Sequence, residues 1–199
     1  MYLATWDLNN RVGTVPFRPD AADAAMALGA DVLVFTEFFP KQHEERFRAA
    51  LANAGWSEQL MSAQPSEVAN RVLIASKLPL SPLNLDLPKF DQQFPANLLA
   101  VRLPSVGLSL LGVRIPAYET AHLLLSAWGW LEATASILKN NPSVIIGDFN
   151  VQVSGNSRAS KCFRRILADE WHRAEPGGAT FLGYKGRISE IDHVIATSD

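Results

Sequence analysis

Four segments of the chain put carboxylate and amide side chains where an apolar run ends. "LATWDLN" closes on Asp7 and Asn9, "DVLVFTEF" on Glu37 and "SVIIGDFN" on Asp148 and Asn150, while "EIDHVIAT" carries Asp192. An ionised carboxylate buried without a partner costs several kcal/mol or takes up a proton. Glu37 therefore reads either as a partly exposed strand end or as a carboxylate held at the mouth of a cleft. Hard divalent cations such as Mg²⁺ are held by one or two such oxygens and keep several waters. Gly147 frees the backbone before Asp148. Asp148 and Asn150, two residues apart, share one side of an extended segment, although an Asx turn would also satisfy the pair. Asp192 shares a face with Val194 and reads otherwise as an edge-strand carboxylate. His193 points to the opposite face, which favours a structural role for it.

The elements that would carry these residues follow from hydrophobic period and turn chemistry. "MYLATW" and the nearly continuous apolar "DVLVFTEF" predict strands, the second of the fully buried kind. Between them "DAADAAMALGA" predicts a helix ended by Gly29, and "PKQHEERFRAALANAG" predicts one that opens at Pro40 and closes at Gly55. "WSEQLMSA", "NRVLIAS", "LNLDL", "NLLAVRL" and "LSLLGVRI" predict strands separated by proline-rich turns. The "HLLLSAWGWLEATASILKNN" helix leads into "SVIIGDF". "SKCFRRILADEW" predicts a shorter helix before the final strands "ATFLGY" and "EIDHVIAT". Strand–helix–strand units at both ends with an antiparallel block between them predict one α/β domain over residues 1–199. Two packed sheets with helices outside is the economical arrangement for that order.

Bulk properties narrow the partners. Of 199 residues 48% are apolar and 19% charged, a globular composition rather than a disordered one. The net charge of -2 argues against duplex nucleic acid held mainly by a general positive surface, while a local basic rim stays open. The single cysteine, Cys162, excludes an internal disulfide and a cysteine-based zinc site. The stretch from His122 to Leu138 is interrupted by Glu132 and small polar residues, so it predicts an amphipathic helix rather than a bilayer span. No signal peptide is evident, so a cytoplasmic location is expected. The chain starts abruptly at a strand and could be a piece of a longer protein; its oligomeric state is not encoded in any visible pattern.

The ordered set "TWDLN", "ADVLVFTEF", "NRVLIASKLPL", "LSLLGVRIPAY", "VIIGDFN" and "GRISEIDHVIATS" resembles the endonuclease/exonuclease/phosphatase superfamily over nearly the whole chain. That group includes exonuclease III-like apurinic endonucleases, pancreatic-type deoxyribonucleases, sphingomyelinases and inositol polyphosphate 5-phosphatases. The resemblance implies a four-layer α/β/β/α sandwich and cleavage of a phosphoester with Mg²⁺ or Mn²⁺. It places the metal on Glu37, assisted by Asp7 or Asn9, and the attacking water at Asp148. Asn150 would hold the phosphate, as would Asn9. Arg114 falls where relatives carry a phosphate-contacting His or Tyr; a guanidinium fork could grip a phosphate oxygen, and a surface ion pair is the other reading. Asp192 would normally pair with a histidine. The chemistry is coherent without the family name: a metal on Glu37, amides from Asn9 and Asn150, and Asp148 near a water would neutralise charge and activate the nucleophile.

Three departures set expectations of their own. Asp7 stands where relatives carry Asn, and a second carboxylate beside Glu37 should raise protonation there. Thr36 replaces the usual Gln before the metal Glu. The family's further strand carrying Ser-Asp-His does not follow within these residues, because Ser198-Asp199 comes too soon after Asp192 to be that motif. The domain is therefore expected to be truncated at its C-terminus or to have lost that histidine naturally. A phosphodiesterase or nuclease with very weak turnover is therefore expected. A phosphomonoesterase on a phosphorylated lipid or sugar, and a non-catalytic phosphate-binding module, are the alternatives.

Overall fold

Alternation along the central strands assigns every second side chain to one of two buried faces, and the packing follows that assignment. The computed structural model describes residues 1–9, 20–39, 43–66, 69–118, 120–175, 177–182, 186 and 188–198. Pro40 at the expected helix start, Gly183 and Tyr184 of the expected strand "ATFLGY", and Asp199 lie outside them. The strands are β1 (Leu3–Asp7), β2 (Val32–Phe38), β3 (Glu58–Met61), β4 (Arg71–Ser76), β5 (Ser81–Pro82), β6 (Leu98–Leu103), β7 (Leu108–Arg114), β8 (Ser143–Asp148), β9 (Trp171–Arg173), β10 (Phe181–Leu182), β11 (Ile188–Ser189) and β12 (Asp192–Thr197). The helices are α1 (Ala21–Ala27), α2 (Glu44–Asn53), α3 (Ala121–Leu138) and α4 (Arg158–Ala168).

Two mixed sheets form, in the orders β1-β2-β4-β3 and β5-β6-β7-β8-β12-β9, beside a short β10–β11 ribbon. Val32, Val34, Val72 and Ile74 of the first sheet meet Val101, Leu103, Leu110, Val144 and Ile146 of the second in the inter-sheet core. The intervening residues Leu33, Phe35, Leu73 and Ala75 pack against Phe47 and Leu51 of α2 and the alanines of α1. Leu111, Val113, Ile145 and Ile195 face Trp128, Leu131 and Ala135 of α3 and Phe163 and Ile166 of α4. The result is the expected α/β/β/α layering. Gly112 faces the first sheet with little room for a side chain: a Cβ there would meet Val72 at 2.9 Å and Val34 at 3.0 Å.

Three elements differ from expectation. "LNLDL" is not a strand: the two-residue β5 ends just before it at Pro82, and after Leu83, whose N–H reaches the Ala100 carbonyl, the backbone leaves the sheet. Its leucines Leu83 and Leu85 pack on the α3 core instead. Helix α4 ends at Ala168, and Trp171 belongs to β9, an edge strand paired with β12. Glu170, at φ 66°, makes that reversal, and Asp169 is anchored at 2.5 Å by Lys139. Most consequential is a bulge in β2, whose pairing with β4 shifts between Phe35 and Phe38.

Gly147 sits just before Asp148 with φ +143°, and a Cβ there would lie 2.0 Å from the Val113 carbonyl oxygen. Gly147→Ala should therefore destabilise the protein by roughly 3 kcal/mol, from a forced backbone shift plus an unfavourable φ. Urea unfolding checks this; a loss below about 0.5 kcal/mol would show that β7 and β8 can separate there at little cost.

Candidate active site

The inter-sheet rows end in charge. Continuing the alternation that places Leu110, Ile146 and Val194 between the sheets puts Arg114, Asp148 and Asp192 on the same face of β7, β8 and β12. Asp7 extends the row of Leu3 and Thr5 in β1 in the same way. Arg114 and Asp192 both pair in register with Asp148. Strict alternation would send Glu37 under α2 with Leu33 and Phe35. The β2 bulge breaks that parity: Phe38 takes the helix-facing place, and Glu37, at φ 48°, turns to the cleft. All of these side chains, with Asn9 and Asn150, line one open cavity of about 1460 Å³.

Two like turns close the strands on either side of it. The Asn9 N–H donates to Asp7 Oδ1 at 2.7 Å, and the Asn150 N–H donates to Asp148 Oδ1 at 2.8 Å. Both asparagines have positive φ, 46° and 50°, a conformation Asn tolerates better than most residues. Asn150 goes further, donating its side-chain amide to Asp148 Oδ2 at 2.7 Å and to the Ile115 carbonyl at 2.9 Å. So the Asx turn, rather than strand alternation, brings Asp148 and Asn150 together, and both amide hydrogens of Asn150 are already spent.

Among the described residues Arg114 is the one cation lining the cleft. Its Nε and Nη2 donate to Glu37 Oε1 at 2.9 and 2.6 Å, and its Nη1 donates to Asn97 Oδ1 at 3.2 Å. Arg114 is in an ion pair, but a partly buried one rather than the surface pair that was the other reading, and its partner is the carboxylate expected to hold metal. Asn97, on the short 3₁₀ turn Phe94–Asn97, gave no signal in sequence because it reaches the site only through Arg114. Thr180 is a second such residue. Its hydroxyl accepts the backbone N–H groups of Ile191 and Asp192 and donates to the Asp192 carboxylate. Asp192 Oδ1 is buried with no partner among the described residues.

The carboxylates crowd one another. Asp148 is pushed up to about 8, first by burial and then by Asp192. Asp7 is raised to about 6 by burial and then by Glu37. Asp192 is raised by burial, against the Thr180 hydrogen bond. Thr36 Oγ1 is buried without a partner among the described residues. His193 packs on Phe149 and Phe163 and donates Nε2–H to the Val151 carbonyl at 2.8 Å; burial holds it below its ordinary pKa. Among the described residues no histidine lines the cleft.

The sequence profile of the Endonuclease/Exonuclease/phosphatase family matches residues 4–199. The chain belongs to the endonuclease/exonuclease/phosphatase family. Solved structures agree in fold, each aligned over 99% of this chain. An AP endonuclease from Archaeoglobus fulgidus has a TM-score of 0.75 at 16% identity, with 86% of its own length covered. The 3'-5' exonuclease (NExo) from Neisseria meningitidis has 0.74 at 19%, with 87% covered. A structure described as the 3' phosphatase NExo from Neisseria, bound to product DNA hairpin, has 0.74 at 19%, with 86% covered. No curated protein matches the sequence.

For a member of this family the donor set has a clear preference. It offers only oxygen, its acids repel one another, and Asp192 Oδ1 lacks a partner. Among the described residues no three His, Cys, Asp or Glu enclose a common point. Oxygen donors of this kind suit a hard divalent cation.

Raised carboxyl pKa values also set the pH response of this family member without added cation. The folded state binds the Asp148 proton more tightly than the unfolded chain, so its stabilisation is complete below about pH 4 and is lost as pH rises through about 8. Asp148→Asn should therefore gain on the natural protein as pH rises from 5 to 9 in chelator, by about 5 °C in Tm at the alkaline end. Parallel Tm curves for the two proteins would show that Asp148 is not strained by its surroundings.

Proposed function

We propose that this chain is a divalent-cation-dependent phosphoesterase that cleaves phosphodiesters, with nucleic acid as the favoured substrate class. The observation that carries this reading is the convergence of Asp7, Glu37, Arg114, Asp148 and Asp192 from both sheets on one cleft. The DNA-acting descriptions of the structural neighbours favour nucleic acid, and the net charge of -2 leaves recognition to local contacts.

The proposed metal ligand is Glu37, with Asp7 beside it; Mg²⁺ or Mn²⁺ there would neutralise charge on the phosphoryl oxygens. Asp148 is the proposed base. Its raised pKa suits it to take a proton from the attacking water, and Asn150 positions it by holding both carboxylate oxygens. Asn9 is the proposed amide contact to phosphate, and Arg114 supplies a guanidinium from the β7 side. The role first expected of Asn150, gripping phosphate, would require it to give up Asp148 or Ile115. Asp192 closes the floor beside Asp148. Because no histidine lines the cleft among the described residues, slow turnover is the expected behaviour.

That lack also favours a second reading, a phosphate-binding module without turnover. Hydrolysis of bis(p-nitrophenyl) phosphate and of a DNA oligonucleotide, with Mg²⁺ or with chelator, distinguishes them. The expected result is slow cleavage that needs the cation and falls about 100-fold in Asp148→Asn. Cation-independent cleavage would contradict the proposed function. No cleavage, with dimethyl phosphate still bound, would establish the module.

A further inference from the structure

Arg114 is committed on every nitrogen: Nε and Nη2 to Glu37 Oε1, and Nη1 to Asn97 Oδ1. Asn97 is itself buried, so this second anchor is fixed. It sits on a 3₁₀ turn tied to the first sheet through Ser62, whose hydroxyl donates to the Ala96 carbonyl at 2.5 Å and accepts the Val72 N–H at 2.9 Å. The guanidinium and a divalent cation would seek the same partly buried carboxylate. Two cations that close repel strongly where water is scarce.

We propose that Arg114 is the resident counter-cation of Glu37, and that it couples the binding of divalent cation and phosphate ester. The proposal rests on the reading of Glu37 as the cation ligand. While the cleft is empty, Arg114 neutralises Glu37 and lowers the affinity of that carboxylate for a divalent cation. Once Glu37 is taken, Arg114 needs another anion. The only other acids lining the cleft among the described residues are Asp7, Asp148, Glu175 and Asp192. Glu175 already holds Arg173, Asn150 holds both oxygens of Asp148, the Asn9 N–H holds Asp7 Oδ1, and the Thr180 hydroxyl holds Asp192. A phosphate oxygen above Asp148 is within the natural sweep of the guanidinium, because Arg114 and Asp148 are register partners on neighbouring strands. Each ligand then prepares the site for the other, and linkage requires the two effects to be equal.

Calorimetric titration of the full chain with Mg²⁺ alone, dimethyl phosphate alone, and each in the presence of the other tests this. In the natural protein each ligand should tighten the other by roughly tenfold. Arg114→Gln should bind Mg²⁺ alone roughly tenfold more tightly and lose the coupling; Arg114→Lys should retain part of both effects. Thermal unfolding of each variant in chelator shows that it is folded before titration. Arg114→Gln binding Mg²⁺ no better than the natural protein, while Glu37→Gln has lost it, would overturn the coupling but leave Glu37 as the ligand. Unchanged Mg²⁺ binding in Glu37→Gln would overturn both the assignment of Glu37 and the proposal built on it.

Discussion

Everything at this site depends on parity along the strands. A residue two positions beyond a core side chain points the same way, so an inter-sheet row that runs apolar for most of its length delivers its last member to the open end of the sandwich. Asp7, Arg114, Asp148 and Asp192 are all such last members. Their charge is tolerable only there, where the layer of Val34, Ile74, Leu110 and Ile146 gives way to solvent. Glu37 is the exception that needs special backbone. Its bulge and positive φ are costs, and they are spent to move one carboxylate from beneath a helix to the cleft.

The second organising feature is an imbalance of charge. Among the described residues the cleft wall carries the acids Asp7, Glu37, Asp148, Glu175 and Asp192 against the single cation Arg114. Burial raises Asp7, Asp148 and Asp192, and neighbouring acids raise Asp7 and Asp148 further. Such an arrangement is poor for stability and good for receiving cations, the trade expected of a functional site. The hydrogen bonds that remain serve orientation. Asn150 fixes Asp148, Thr180 fixes Asp192, and Asn97 fixes Arg114.

Much of this was legible in sequence, for a physical reason. Buried strands announce themselves by continuous apolar runs, and an acid closing such a run is conspicuous because an unpaired charge there is costly. Asp7, Glu37 and Asp148 were visible on that ground, and the layer order followed from the succession of elements. The Asx turn at Asp148 was legible too, as the bland alternative; it is present, with a like turn at Asp7, and both build the site. Other features depend on contacts between distant segments. The β2 bulge leaves no mark in "DVLVFTEF". Nothing near Asn97 in the chain points to Arg114, which lies 17 residues away. "LNLDL" alternates like a strand, yet its leucines are used against α3. Short β9 was hidden because Trp171, just after the reversal at Glu170, continues the apolar spacing of α4 in the sequence.

The central claim is that the ends of the inter-sheet rows, with the bulged Glu37, form a single site for a hydrated divalent cation. Its most direct test is the anomalous scattering of Mn²⁺ in crystals of this chain, compared with crystals kept in chelator. The account predicts one strong peak bonded to a Glu37 oxygen within the cleft, with the Arg114 guanidinium displaced from that oxygen. No peak at saturating Mn²⁺, or one away from Glu37 with the Arg114–Glu37 pair intact, would contradict it.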